Sequence, residues 1–149
     1  MDRFHFVKTC SLGCIAISVF GILQEGCTGS KFITSTILND VMIVPLSVFE
    51  KLSNGKKHFR KYVLLQNEKL RYPIYLYRFS AQEYSALYMQ CTHQGYELTA
   101  FGDRVVCSAH GSEFDNRGKV TNSPADKPLI SFLVKIIDQH LNIYLKYHE

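Results

Sequence analysis

Four side chains in two short segments could bind metal together. Cys91-Thr92-His93-Gln94-Gly95 and Cys107-Ser108-Ala109-His110-Gly111-Ser112 each offer one thiolate and one imidazole. Thirteen residues separate His93 from Cys107. Each segment follows a strand-like stretch and contains glycine just after its histidine, so each reads as a loop tip. Two Cys and two His can hold a tetrahedral zinc ion. They can also hold a binuclear iron–sulfur cluster, with one iron on two thiolates and the other on two imidazoles. Structural zinc sites usually draw on C-x-x-C or H-x-x-x-H pairs, and a C-x-H pair is unusual among them. Exchanging two thiolates for neutral imidazoles removes two negative charges. That favours the extra electron and raises the potential from about −400 mV to between about −150 and +300 mV.

The elements that must position these loops read as strands. Val41-Met42-Ile43-Val44 and Leu46-Ser47-Val48-Phe49 flank Pro45, which marks an edge or a bulge. Tyr62-Val63-Leu64-Leu65, Ile74 to Phe79 and Tyr84 to Gln90 are apolar runs rich in aromatic and β-branched residues. Phe101-Gly102-Asp103-Arg104 reads as a turn between two short strands. Phe114-Asp115 and Lys119-Val120 form a hairpin around Asn116-Arg117-Gly118, and Ile130–Ile137 and Leu141–Tyr147 form another around Asp138-Gln139-His140. Strands recurring about every ten residues predict an all-β, antiparallel sandwich or barrel. The 149 residues, 46% hydrophobic and 20% charged, suit one globular domain with its own core. The basic stretch Lys56-Lys57-His58 with Arg60-Lys61 reads as a solvated loop. No recognition motif accompanies it, so nucleic acid is not an expected partner. Single histidines in such a protein are usually packed core residues, and His58, His140 and His148 are read so.

Residues 1–30 differ from everything after them. Arg3, His5 and Lys8 make a positive start, Cys10 to Leu23 is uncharged and apolar, and polar residues begin after Gly26-Cys27. This is the layout of an export signal. Fourteen helical residues span about 21 Å, short of the roughly 30 Å hydrocarbon core, so a lone spanning helix is the weaker reading. Gly26-Cys27 resembles the cleavage site of bacterial lipoproteins, which implies a lipid anchor on Cys27. Arg3-Phe4-His5-Phe6-Val7-Lys8 resembles a twin-arginine export signal with Phe4 in place of the second arginine. Cys10, Cys14 and Cys27 lie here, leaving only Cys91 and Cys107 in the body and no disulfide framework. Residues 31–149 are therefore read as the folded domain, exported and membrane-anchored, facing the periplasm or the cell exterior.

The pattern C-x-H, thirteen residues, C-x-x-H closely resembles the cluster motif of Rieske 2Fe-2S proteins. The resemblance covers about residues 40–147 and is strongest over Gln90 to Leu129. It implies a sandwich with a small cluster-binding subdomain, about residues 88–129, inserted between its strands. It implies Cys91, His93, Cys107 and His110 as ligands of a Rieske-type 2Fe-2S cluster. Around them it implies Gly95 and Gly111 as close backbone approaches, and Ser112 as donor to a bridging sulfide. Ser123-Pro124-Ala125-Asp126-Lys127-Pro128 resembles the proline loop that covers the cluster. Phe114 stands where higher-potential relatives carry a tyrosine that donates to a cysteine sulfur. Tyr96 and Ala109 stand where respiratory Rieske subunits carry an inter-loop disulfide.

The expected role is one-electron transfer by an envelope-anchored carrier, or by a subunit of a membrane or periplasmic oxidoreductase without its own substrate site. Its partner would be a cytochrome, a quinol-linked complex or a catalytic oxidoreductase subunit. The alternatives are the ferredoxin of an oxygenase system and a zinc-stabilised, non-redox β domain. A complete Rieske oxygenase would need a second domain with a 2-His-1-carboxylate iron site, for which the stretch after the proline loop is too short.

Overall fold

The computed structural model describes residues 32–146, whose regular secondary structure is almost all strand. In chain order these are β1 (Phe32–Thr34), β2 (Thr36–Leu38), β3 (Val41–Pro45), β4 (Glu50–Ser53), β5 (Lys56–Phe59), β6 (Tyr62–Gln66), β7 (Ile74–Arg78) and β8 (Tyr84–Tyr88). There follow β9 (Thr99–Phe101), β10 (Arg104–Val106), β11 (Glu113–Asp115), β12 (Val120–Asn122), β13 (Ser131–Ile137) and β14 (His140–Tyr144). An eight-stranded sheet runs β1-β6-β7-β8-β13-β14-β3-β2, and a four-stranded sheet runs β12-β11-β10-β9. The second lies between β8 and β13 in the chain, as the subdomain inserted into the sandwich.

The apolar runs of β6, β7 and β8 are continuous because both faces of these strands are covered. Val63, Leu65, Ile74, Leu76 and Ala86 point one way, into a core shared with Met42, Val44, Phe49, Leu141 and Ile143. Leu64, Tyr75, Tyr77 and Leu87 point the other way, into a second core. There they meet Leu98, Ala100, Val105 and Phe114 of the inserted subdomain, together with both loop cysteines. Long β13 joins the two halves of the larger sheet: Ser131 and Phe132 pair with β8, and Leu133 to Ile137 pair with β14.

Three readings from the sequence are corrected. Leu46–Phe49 is a 3-10 turn rather than a strand, because Pro45 ends β3 and Val48 and Phe49 swing into the core. Lys56–Phe59 is not a loop: β4 and β5 form a hairpin turning at Asn54-Gly55, whose φ values of 52° and 69° suit a tight two-residue turn. His58 and His140 are exposed rather than packed, since each points outward from its strand. The antiparallel sandwich is as expected, and only at one edge does β1 run parallel to β6. No helix among the described residues is long and apolar enough to cross a membrane. The readings of residues 1–30 and His148 fall outside the described residues.

Candidate metal centre

Loop 91–96 leaves the sheet after β8, and loop 107–112 connects β10 to β11. Both fold the same way. The Cys91 N–H donates to the Tyr96 carbonyl and the Gly95 N–H to the Cys91 carbonyl, each at 2.8 Å. The Cys107 N–H donates to the Ser112 carbonyl and the Gly111 N–H to the Cys107 carbonyl, again each at 2.8 Å. Gly95 and Gly111 have φ of 75° and 78°, a region that costs an L side chain about 1–2 kcal/mol. Glycine at these points lets each loop turn back on its own cysteine.

The two pairs of donor side chains separate by depth. Cys91 and Cys107 are buried, as free thiols, in the core shared with Phe114 and Leu98. His93 is half-buried and His110 exposed. Their rings stand edge to face with centroids 5.0 Å apart. His93 Nδ1 is buried without a hydrogen-bond partner. An unpaired buried ring nitrogen is costly unless it meets another partner, and a metal ion supplies one. Among the described residues no three His, Cys, Asp or Glu side chains gather around a single point. The arrangement is an inner thiol pair and an outer imidazole pair. A binuclear cluster asks for two protein donors on each iron, and the donor set fits that demand.

Neighbours hold the loops in register. The Tyr72 hydroxyl donates to the Gly95 carbonyl at 2.6 Å, and the Asn122 amide to the Gly111 carbonyl at 2.9 Å. The Tyr75 hydroxyl donates to the Gly102 carbonyl at 2.8 Å, fixing the β9–β10 turn to the sheet. Burial, with Tyr77 and Tyr62 nearby, holds that phenol well above its ordinary range. Segment 123–128 ties to both loops: the Ala125 N–H donates to Ser112 Oγ at 3.0 Å, and Thr92 Oγ1 donates to the Lys127 carbonyl at 2.7 Å. Ser112 is fully buried, and accepting this bond leaves its own hydroxyl proton free to donate elsewhere. Pro124 is exposed on the segment, and Phe114 is fully buried behind the thiols. Tyr96 is half-exposed on the first loop, and its ring stands edge-on to His110 of the second at 5.5 Å. Of the predicted site residues, Cys91, Cys107 and Phe114 share one core, His93 meets His110, and Ser112 is tied to the segment that carries Pro124. The supports Tyr72, Asn122 and Thr92 have no place in the reading of the sequence. Their residue types carry no signal, and only the fold brings them to the loops.

The family model described as the Rieske [2Fe-2S] domain matches residues 45–137. No curated protein matches the chain. Among solved structures, the plasma membrane Rieske protein PetC3 from Synechocystis PCC 6803 is 23% identical, with a TM-score of 0.49, over 56% of this chain and 85% of that one. A structure of reduced oxygenase with oxidized ferredoxin in carbazole 1,9a-dioxygenase is 22% identical, TM-score 0.47, over 60% and 84%. The Sphingomonas yanoikuyae B1 ferredoxin is 26% identical, TM-score 0.44, over 57% and 85%.

Proposed function

Because the chain belongs to the Rieske [2Fe-2S] family, whose domain carries a Rieske-type cluster and transfers electrons, we propose that it does so from an envelope-anchored position. In this reading it is a carrier, or the electron-transfer subunit of a membrane or periplasmic oxidoreductase. Cys91 and Cys107 hold one iron and His93 and His110 the other. When bound, the cluster supplies a one-electron couple at a potential above that of all-cysteine clusters.

The remaining work falls to the chain. Burial of the thiols in an apolar core excludes water and competing nucleophiles from the sulfur side. Segment 123–128 fixes the Ser112 hydroxyl, whose proton is free to stabilise negative charge on cluster sulfur. The exposed imidazole side opens toward solvent, so a cytochrome, quinol-linked complex or catalytic subunit can approach there. The single observation that carries this reading is the inner thiol pair beneath an outer imidazole pair.

The anchored position rests on the order of residues 1–30: a positive start, an apolar run, then Gly26-Cys27. Domain limits of 31–149, with the cluster-binding part at about 88–129, go with it. Mass spectrometry of the mature protein tests the anchor. The expected product begins at a lipidated Cys27. An intact Met1-to-Leu23 segment would replace the lipid with a transmembrane anchor.

A further inference from the structure

We propose that the β4–β5 hairpin is a docking element for an anionic lipid surface, holding the cluster end of the domain away from the bilayer. Residues 50–61 contain five basic side chains (Lys51, Lys56, Lys57, Arg60 and Lys61) against one acidic, Glu50. That net +4 equals the formal net charge of the whole chain. Most of this charge is presented, although Arg60 is half-buried with its Nε inside the fold. Lys57 pairs with Glu50, while Lys51, Lys56 and Lys61 make no ion pair among the described residues. Cross-strand pairing puts Lys51 with His58 and Ser53 with Lys56 on one face of the ribbon. The other face carries Leu52, 79% exposed beside Lys57, and half-exposed Phe59. Lysines flanking outward Leu52 near the hairpin tip, with Phe59 toward the base, are suited to an interface, where stems and apolar groups enter and ammonium groups meet headgroups.

The hairpin's place in the fold selects a lipid surface rather than a redox partner. Its base is at the start of β6 and the end of β7: the Arg60 N–H donates to the Phe49 carbonyl, and the Arg78 guanidinium lies over the Phe59 ring at 4.5 Å. Loop 91–96 is held by Tyr72, before the opposite end of β7. The length of β7, about 13 Å at its rise per residue, therefore separates the hairpin base from the cluster loops. β1 runs parallel to β6 with Phe32 opposite Leu64, so the chain enters β1 from the end where the hairpin stands. The nearness of a bilayer comes from the anchored reading proposed above. A basic hairpin beside the anchored entry of the chain adds a second, electrostatic contact. Two contacts fix orientation where one tether does not.

The chain has no tryptophan, so Leu52→Trp in the full chain makes a reporter confined to the hairpin. The protein is mixed with phosphatidylcholine vesicles, with and without phosphatidylglycerol, some carrying brominated lipid. Emission of the introduced indole should shift to the blue and be quenched with phosphatidylglycerol present. The quenching should vanish in high salt and fall at least about tenfold when Lys51→Glu and Lys56→Glu are added, with the visible absorption of the cluster unchanged. Sedimentation with pure phosphatidylcholine vesicles reads the anchor separately. Co-sedimentation without quenching on anionic vesicles overturns the docking element and leaves the anchor standing. Quenching on anionic vesicles without co-sedimentation on neutral ones supports the docking element and removes the anchor. A blue shift with soluble polyglutamate but none with anionic vesicles overturns the lipid assignment in favour of an acidic protein surface.

Discussion

Loops 91–96 and 107–112 share one backbone design and differ in what surrounds it. Each cysteine N–H closes onto the carbonyl five residues on, and each glycine N–H closes back onto the cysteine carbonyl. Each glycine carbonyl then receives a side-chain donor, Tyr72 for the first loop and Asn122 for the second. Tyr72 is buried and comes from the sandwich, whereas Asn122 is exposed and belongs to the same small sheet as its loop. The residue closing the first loop, Tyr96, is half-exposed against His110. The residue closing the second, Ser112, is fully buried and tied to segment 123–128. The first loop is thus held from the sandwich by Tyr72 and from segment 123–128 by Thr92, while the second is held by its neighbours in the subdomain. A binuclear site needs equal geometry at both loops, but it does not need equal support.

Substitutions in and around the two loops test this contrast. His93→Ala and His110→Ala should each abolish the cluster, read as loss of visible absorption and of iron, while His140→Ala, at the exposed start of β14, should retain both. Equal loss from both loops would confirm that neither imidazole is dispensable. A retained cluster in either variant would break the pairing.

Ser112→Ala leaves the buried Ala125 N–H without its acceptor, which should cost about 1–3 kcal/mol in denaturant unfolding. It should also lower the potential by about 40 mV, the one-electron equivalent of a hydrogen bond worth about 1 kcal/mol. A stability loss with an unchanged potential would mean that the hydroxyl serves only the loop. Phe114→Tyr, which restores the hydroxyl that higher-potential relatives carry at this position, should raise the potential measured by voltammetry, and an unchanged potential would contradict the loop geometry.

Gly95→Ala and Gly111→Ala both force a side chain into positive φ, at about 1–2 kcal/mol each. Gly95→Ala should cost the more, because its Cβ would meet the Gln90 side-chain amide at 3.3 Å while that of Gly111 meets nothing within 4 Å. Tyr72→Phe should cost about 1 kcal/mol and Asn122→Ala less than about 0.5 kcal/mol, since water replaces an exposed donor but not a buried one. Equal losses in urea unfolding would erase the difference in support between the loops.

The sequence made the chemistry legible where residue type and spacing act locally. Cys, His and Gly at fixed offsets define both loop tips, and Gly102-Asp103 and Asn116-Arg117-Gly118 mark the turns seen in the structure. Local pattern misleads where tertiary contacts overrule it. Leu46–Phe49 is apolar enough for a strand, yet Pro45 and the demand of the core for Val48 and Phe49 make it a turn. The signal for the β4–β5 hairpin is present in Asn54-Gly55, but its strands are polar and show no apolar alternation. His140 points outward because alternation along β14 turns Leu141 and Ile143 inward, whereas His58 is exposed because β5 is exposed on both faces. Tyr72, Asn122 and Thr92 have no local signal, since each acts across at least eleven residues of chain on a carbonyl.

The most direct test of the account is iron and sulfide analysis of the anaerobically purified full chain, joined to EPR after reduction. The two-loop, two-pair arrangement predicts about two irons and two labile sulfides per chain, with a Rieske-type signal. One equivalent of zinc, with no iron and no signal, would contradict it.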